Sequence, residues 1–333
     1  MSTIQKPIIV GDYLNGEAFA WAYWLEHHCR VAVIGDNQVT QKNAFLTELA
    51  RTCSLRDDSS VYWITGETKS NQSATMMFDS IPWVEGFSDP PEFFEDRHIF
   101  MEIRSFFTSS FVQLLARRQG INRSSLPGLV YREHMEGPLV GLRREVEKQG
   151  VQWLLSEINH LEQVAWSQEK GICKYHVLRE ASLIDTALSF LRGIWSLWSH
   201  TARLETPQQL LVIIEPPKEL LWKNSDPLIT NITVEALRIV NYLSEVTTTS
   251  FVLSSEILFP VPEQKFRYVI YLPTKDSDID LTAQENKKQI AAPVLFEEWD
   301  RKSGSVCLWE DRYTAERHIV RLRTENMDFL DGF

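Results

Sequence analysis

One segment near the N-terminus limits the folds open to this chain more than any other. Residues 31–34 and 61–64 are short runs rich in β-branched and aromatic residues, and residues 43–52 between them carry apolar residues at helical spacing. A strand, a helix and a second strand in this order predict a βαβ unit, whose two strands are parallel. We therefore expect an α/β fold built on a parallel sheet.

The pattern changes after about residue 94. Residues 95–203 are predicted to form long amphipathic helices, one of which carries an apolar stripe that includes Trp195 and Trp198. Core packing is the expected role of that stripe. Further segments then alternate between strand and helix patterns: strands at 210–214, 250–254, 266–272, 305–310 and 317–323, and a helix at 231–245. The sequence predicts one mostly parallel sheet whose domain is divided into residues 1–94 and 204–333, with an all-α insertion at residues 95–203.

Composition excludes several classes of protein. The 333 residues include 34 Lys and Arg against 45 Asp and Glu, a net charge of −11, which argues against a surface that coats nucleic-acid phosphates. The 4 cysteines form no CxxC pair, so neither a zinc ribbon nor a disulfide framework is indicated. No apolar run is long enough to span a bilayer. We expect a cytoplasmic protein without an integral membrane segment.

The first βα turn, VAVIGDNQVTQKNAF, is the setting of a phosphate-binding loop. In a P-loop, backbone N–H groups and the helix N-terminus bind phosphate, a lysine contacts the outer phosphates, and a hydroxyl binds Mg²⁺. If the motif GxxxxGK[ST] starts at Gly35, Thr40 takes the place of the second glycine, and one inserted residue brings Lys42 to the lysine position with Asn43 at the hydroxyl position. Neither alignment restores the motif. An ordinary βα turn with an exposed lysine is the alternative interpretation.

Two later strands end in polar residues. Glu215 follows the apolar run at 210–214, in the place of an acidic residue that holds Mg²⁺ in P-loop ATPases, but the next residue is Pro216, which cannot act as a base. The strand at 250–254 ends in LSSE, which brings Glu256 into the set of candidate nucleotide-binding residues. An ordinary serine-rich strand end is the alternative for that segment.

In their order along the chain, these segments resemble the HerA/FtsK branch of P-loop ATPases, and in particular the type IV secretion and conjugation coupling proteins. The resemblance rests on the segment before the loop, the loop itself, the helical block at 95–203, LLVIIEPP, LSSE at 253–256, and the final strand pair. It implies a RecA-like fold, with ATP and Mg²⁺ as candidate cofactors bound by Gly35, Thr40, Lys42, Asn43, Glu215 and Glu256. The departures from the family pattern fall on the chemistry. GK[ST] is not intact, and Glu215, Pro216 and Glu256 stand where the family usually has Asp, Glu and Gln, respectively.

The resemblance, with these departures, predicts a noncatalytic or weakly nucleotide-binding relative of the P-loop ATPases. We expect it to act as a scaffold or partner subunit, with protein partners, in a DNA-processing or conjugation-like assembly, which also allows membrane association through partners. The alternatives are an active ATP-driven DNA or protein translocase with an unusual loop, and an unrelated α/β protein. No catalytic residue is assigned, and no metal site is assigned, although His27, His28 and Cys29 are adjacent.

Overall fold

A computed structural model describes the protein over residues 7–21, 30–35, 41–56, 59–66, 74–79, 97–120, 163–178, 182–201, 209–221, 226–246, 249–255, 266–272 and 306–327. Within these ranges, no helix has both the length and the apolar character needed to cross a membrane. The adjacent residues His27, His28 and Cys29 lie outside the described residues.

The described strands all belong to one 12-stranded sheet with the order β2-β1-β12-β11-β10-β3-β9-β8-β4-β7-β6-β5. The single sheet that the sequence predicted is therefore confirmed. The strands are β1 (Ile8–Tyr13), β2 (Ala18–Trp21), β3 (Arg30–Ile34), β4 (Ser59–Thr65), β5 (Ala74–Asp79), β6 (Gln163–Glu169), β7 (Ile172–His176), β8 (Gln209–Ile214), β9 (Thr249–Ser255), β10 (Tyr268–Tyr271), β11 (Val306–Asp311) and β12 (Glu316–Leu322).

The centre of the sheet is parallel and both of its sides are antiparallel. Strands β10, β3, β9, β8, β4 and β7 pair in parallel in that order. Antiparallel strands extend this centre through β6 and β5 on one side, and through β11, β12, β1 and β2 on the other. The central strands β8 and β9 are almost continuously buried, as expected for parallel strands that are covered on both faces.

Helices cover the two faces of the sheet. They are α1 (Lys42–Ser54), α2 (Arg97–Arg118), α3 (Leu183–Thr201) and α4 (Pro227–Val246). Helix α1 packs in a core with residues of β3, β4 and β11, whereas α2, α3 and α4 share the core on the opposite face. In that second core Trp195 and Trp198 stack with ring centroids 5.2 Å apart and are fully buried, which confirms the packing role predicted for the apolar stripe.

The prediction that residues 95–203 are all α-helical is wrong for residues 163–176. These residues form the hairpin β6–β7, and β7 pairs in parallel with β4 in the central sheet. The turn consists of Lys170 and Gly171, which both have positive φ values, 49° and 82°. Two such residues form the turn of a tight hairpin whose twist matches that of its strands. Strands β1, β2 and β5 were not predicted either, and the boundaries of the predicted domains stay predictions.

Candidate functional site

The carboxyl ends of four neighbouring strands meet at one edge of the sheet. Their spatial order is β3, β9, β8 and β4, so β9 separates the strand that leads to Gly35 from the strand that leads to Glu215. Ligands of open α/β sheets bind outside the carboxyl ends of the strands, where crossover connections leave in opposite directions. The edge formed by these four strand ends is therefore the candidate site.

Gly35 follows β3 and is fixed by its neighbours on both sides. Its N–H donates to the carbonyl of Ser255 at 2.9 Å, and the N–H of Leu272 donates to the carbonyl of Ile34 at 2.8 Å. A Cβ atom at position 35 would lie 2.5 Å from the Cβ of Leu272, closer than two such atoms approach. Gly35 is not among the residues with positive φ. A glycine is needed here because of the close approach of Leu272.

Lys42 is the first residue of α1 and is buried. Its side chain is 1% exposed, and its Nζ donates to the carbonyl oxygen of Gly35 at 2.9 Å. The alternative interpretation expected an exposed lysine, and this part of it is wrong. Asn43, the next residue of α1, is half-buried. The lysine turns back to the start of the loop, which is the direction a phosphate-binding lysine requires, but its ammonium group is already engaged with a backbone carbonyl.

Glu215 accepts hydrogen bonds from side chains of two flanking strands. Trp63 Nε1 and Thr65 Oγ1, both on β4, donate to Oε2 at 2.9 and 3.0 Å. Ser254 Oγ, on β9, donates to Oε1 at 3.3 Å. The backbone N–H of Glu215 also donates to the carbonyl of Ile64 at 2.9 Å. The carboxylate therefore joins the carboxyl ends of β4, β8 and β9.

The Lys42 ammonium group and the Glu215 carboxylate are connected through residues of β9 and Gly35. Ser254, which bonds to Glu215, is followed by Ser255, whose carbonyl accepts from Gly35, and the Gly35 carbonyl accepts from Lys42. Of the predicted site residues, the structure brings Gly35, Lys42, Asn43 and Glu215 to the same edge of the sheet. Thr40 and Glu256 lie outside the described residues.

Sequence reasoning missed the donors Trp63 and Thr65. They occupy alternate positions at the end of β4, so both side chains point to the sheet face on which Glu215 lies. A polar residue at the end of an apolar strand was a usable signal, since such ends meet at the ligand edge. Their partner Glu215 is about 150 residues away, and local periodicity carries no information about that pairing.

The chemistry of this edge is that of an engaged polar network. Lys42 and Asn43 are the described groups that could contact phosphate, and the oxygens of Glu215, Thr65 and Ser254 are of the kind that bind Mg²⁺. Binding at Lys42 or at Glu215 requires exchange of the hydrogen bonds that these side chains already make, which costs free energy where the group is shielded from water. Pro216, directly after Glu215, contributes no proton acceptor side chain.

Comparison with known proteins finds similarity in solved structures alone. No protein-family model matches the chain, and no curated protein sequence matches it. The genome packaging NTPase B204 from Sulfolobus turreted icosahedral virus 2 matches in its complex with AMPPCP at a TM-score of 0.42 and 10% sequence identity, over 90% of this chain and 100% of that chain. Its sulfate complex matches at a TM-score of 0.41 and 11% identity, over 89% of this chain and 96% of that one. TM-scores below 0.5 establish neither a common fold nor a common function.

Proposed function

We propose that this chain is a noncatalytic or weakly nucleotide-binding relative of the P-loop ATPases. The observation that carries the proposal is the hydrogen bond from the buried ammonium group of Lys42 to the Gly35 carbonyl. A phosphate group would have to displace that carbonyl and reach a buried side chain. The three side-chain donors on Glu215 place a similar demand on a cation.

Hydrolysis places further demands on the site. Phosphoryl transfer depends on positioning of the phosphates, Mg²⁺ and the attacking water, and loss of one preorganised donor typically costs about 10²- to 10³-fold in rate. Asn43 stands at the Mg²⁺ hydroxyl position and Pro216 stands where a water-orienting acid is expected. These departures support a protein without significant ATPase activity.

The proposed biological role follows from the resemblance in the order of the sequence segments. A relative of the HerA/FtsK-type ATPases that lacks the hydrolytic groups can still contribute a folded subunit to an assembly. We propose a scaffold or partner role in a DNA-processing or conjugation-like complex, with protein partners.

Nucleotide binding and turnover of the purified full-length chain test the first part of the proposal. With Mg²⁺ present, we expect calorimetry to give a Kd for ATP no tighter than about 0.1 mM, which corresponds to a binding free energy of roughly −5.5 kcal/mol. Phosphate release should stay at background. The variant Lys42→Ala should change neither result, and Lys218→Ala, at an exposed lysine just after Glu215, serves as the matched control.

Turnover on the order of 1 per second that disappears in Lys42→Ala but persists in Lys218→Ala would contradict the proposal. That result would favour the alternative function, an ATP-driven DNA or protein translocase.

Light scattering on the isolated chain distinguishes the partner role from the translocase by the oligomeric state. A ring motor completes its nucleotide site with a neighbouring subunit, so a stable homohexamer would support the translocase, whereas a monomer or small oligomer supports the partner role.

A further inference from the structure

The N-terminus of helix α1, which carries Lys42, is poorly stabilised by the helix's own residues. Its N-cap residue, Gln41, makes no side-chain capping hydrogen bond, and the first turn contains no acidic residue. Lys42 instead places a positive charge at the positive end of the helix dipole, which is unfavourable. The position of the first turn of α1 must therefore depend on tertiary contacts.

A C-terminal segment, residues 323–327, supplies contacts to α1 from outside the sheet. We call it the strap. At its start, Arg323 binds Asp12 of β1 through two hydrogen bonds of 2.6 and 3.1 Å, and its N–H donates to the Val10 carbonyl at 2.9 Å. At its end, Met327 is 1% exposed and lies in the same core cluster as Phe45 of α1. The strap is thus fixed to the sheet at one end and to the α1 core at the other.

Two side chains of α1 bind the backbone of Met327. The Met327 N–H donates to Glu48 Oε1 at 3.1 Å, and Thr52 Oγ1 donates to the Met327 carbonyl at 3.4 Å. Glu48 and Thr52 are four residues apart, so they lie on one side of the helix. Arg51 also donates to Glu48, at 2.6 and 2.9 Å, which holds the carboxylate in place for the strap.

We propose that the strap holds α1 in position and thereby keeps Lys42 in its buried contact with Gly35. Glu48 lies six residues after Lys42, about 9 Å along the helix axis, so a shift of α1 at Glu48 is transmitted to Lys42 over less than two turns. The 2.9 Å hydrogen bond from Lys42 tolerates little displacement. Glu48 and Thr52 are in this sense positioning residues, which act on Lys42 through the helix.

The experiment measures the accessibility of Lys42 without any nucleotide. The full chain is treated with an amine-acetylating reagent under native conditions, and mass spectrometry follows the acetylation rate of each lysine. In Glu48→Ala and in Thr52→Val, we expect Lys42 to be acetylated about tenfold faster than in the wild type, in line with the loss of one buried hydrogen bond. Glu48→Gln keeps an oxygen that accepts from Met327 but loses the charge that pairs with Arg51, so its Lys42 rate should rise less than in Glu48→Ala.

Two controls separate this proposal from general destabilisation. Lys174 is a second largely buried lysine and pairs with Glu169 on the neighbouring strand. Its acetylation rate should not change in Glu48→Ala or in Thr52→Val. Arg238→Ala breaks an exposed pair with Glu235 that has the same i,i+3 spacing as Glu48 and Arg51, and it should leave Lys42 at the wild-type rate. If the acetylation rate of Lys42 is unchanged in both Glu48→Ala and Thr52→Val, or if Lys42 and Lys174 are accelerated equally, the proposal is overturned. Because no nucleotide is used, this result is independent of the test of the proposed function.

Discussion

At the scale of single residues, the candidate site shows side chains whose sequence positions suit one role and whose contacts suit another. Gly35 opens a turn typical of phosphate-binding loops, yet its lack of a side chain is required by Leu272. Glu215 stands where a magnesium ligand is expected, yet it accepts hydrogen bonds from Trp63, Thr65 and Ser254. These three hydrogen bonds connect β4, β8 and β9 and thereby restrict the relative motion of the strand ends.

The packing role of Gly35 predicts a loss of stability in Gly35→Ala. The added methyl group must move the Leu272 backbone or its Cβ, since neither is the flexible end of a side chain. We expect a loss of about 1–3 kcal/mol in the free energy of unfolding, the usual cost of overpacking. Urea denaturation without nucleotide measures it, and a variant as stable as the wild type would show that the contact with Leu272 relaxes freely.

The lowered pKa of Glu48 predicts that the free energy of unfolding depends on pH. The hydrogen bonds from Arg51 are the largest cause that lowers the pKa of Glu48 from its ordinary value of 4.5, and the backbone N–H of Met327 adds to the effect against the opposing effect of burial. Because the folded-state pKa is the lower one, the stabilisation is fully present above the unfolded-state pKa and is lost as the pH falls through the folded-state pKa.

We therefore expect Glu48→Gln to be less stable than the wild type by about 1–2 kcal/mol at neutral pH, with a difference that shrinks below about pH 4.5. Urea denaturation at a series of pH values provides the measurement. Glu235→Gln, in the exposed pair with Arg238, is the control and should cost less than about 1 kcal/mol. A Glu48→Gln difference that stays constant from pH 7 to pH 3 would contradict the assignment.

At the scale of helices and strands, close packing of α3 on the sheet decides details that helix propensity does not. Gly193 lies in α3 opposite the ring of Tyr175 on β7. The Tyr175 hydroxyl donates to the Ser189 carbonyl at 2.9 Å, so the ring is held in place.

Two arginines at the end of α2 form ion pairs with neighbouring elements. Arg117 pairs with Asp226, and Arg118 lies 3.2 Å from Asp185. Arg118 thereby connects α2 to the first turn of α3, and Arg117 connects it to the residue that precedes α4.

Gly193→Ala is expected to destabilise the protein, although alanine favours a helix by about 1 kcal/mol over glycine. A Cβ atom at position 193 would lie 2.4 Å from Cδ1 of Tyr175, and a fixed ring cannot move aside cheaply. We expect a net loss of about 1–3 kcal/mol in thermal or urea unfolding. In a Tyr175→Leu background the cost of Gly193→Ala should shrink, and an equal cost in both backgrounds would show that the ring is not the cause.

At the scale of the whole molecule, the sheet unites segments from distant parts of the chain. Strand β1 pairs with β12, which brings the first and last described strands together, and β7 joins the region at 95–203 to the parallel centre. Charge is the other global property, and the net value of −11 repels polyanions.

The isolated protein should therefore bind duplex DNA weakly. We expect no nanomolar affinity for random duplex at physiological salt, and a steep loss of the remaining binding as salt rises, because the contacts would be made to phosphates. Fluorescence anisotropy at several salt concentrations measures both quantities. Nanomolar binding at physiological salt would mean that a local basic surface outweighs the net charge, and it would favour the translocase.

The sequence by itself determined the elements whose signal is local. A continuous apolar run predicted the buried strand β8, because a strand covered on both faces is apolar throughout, and helical spacing predicted α1, α2, α3 and α4, because burial of one helix face leaves a period of 3.6 residues. Gly35, Lys42 and Glu215 were also identified at strand ends and at a helix start. The hairpin β6–β7 was missed because the residues on both sides of the turn at Lys170-Gly171 were assigned to the helical region at 95–203, and the pairing of the two strands leaves no helical or strand period that local spacing could separate from it.

Tertiary structure alone decided the strand order and the state of the candidate site. The donors to Glu215 on β4 lie about 150 residues before it, and Met327 lies 275 residues after its partner Thr52. Such pairings depend on which strands become neighbours in the sheet, and no local spacing records that choice. The same residue types could form an open phosphate site or a closed network of hydrogen bonds. The packing of β9 and of Leu272, which follows β10, against Gly35, together with the donors on β4, produced the network of hydrogen bonds.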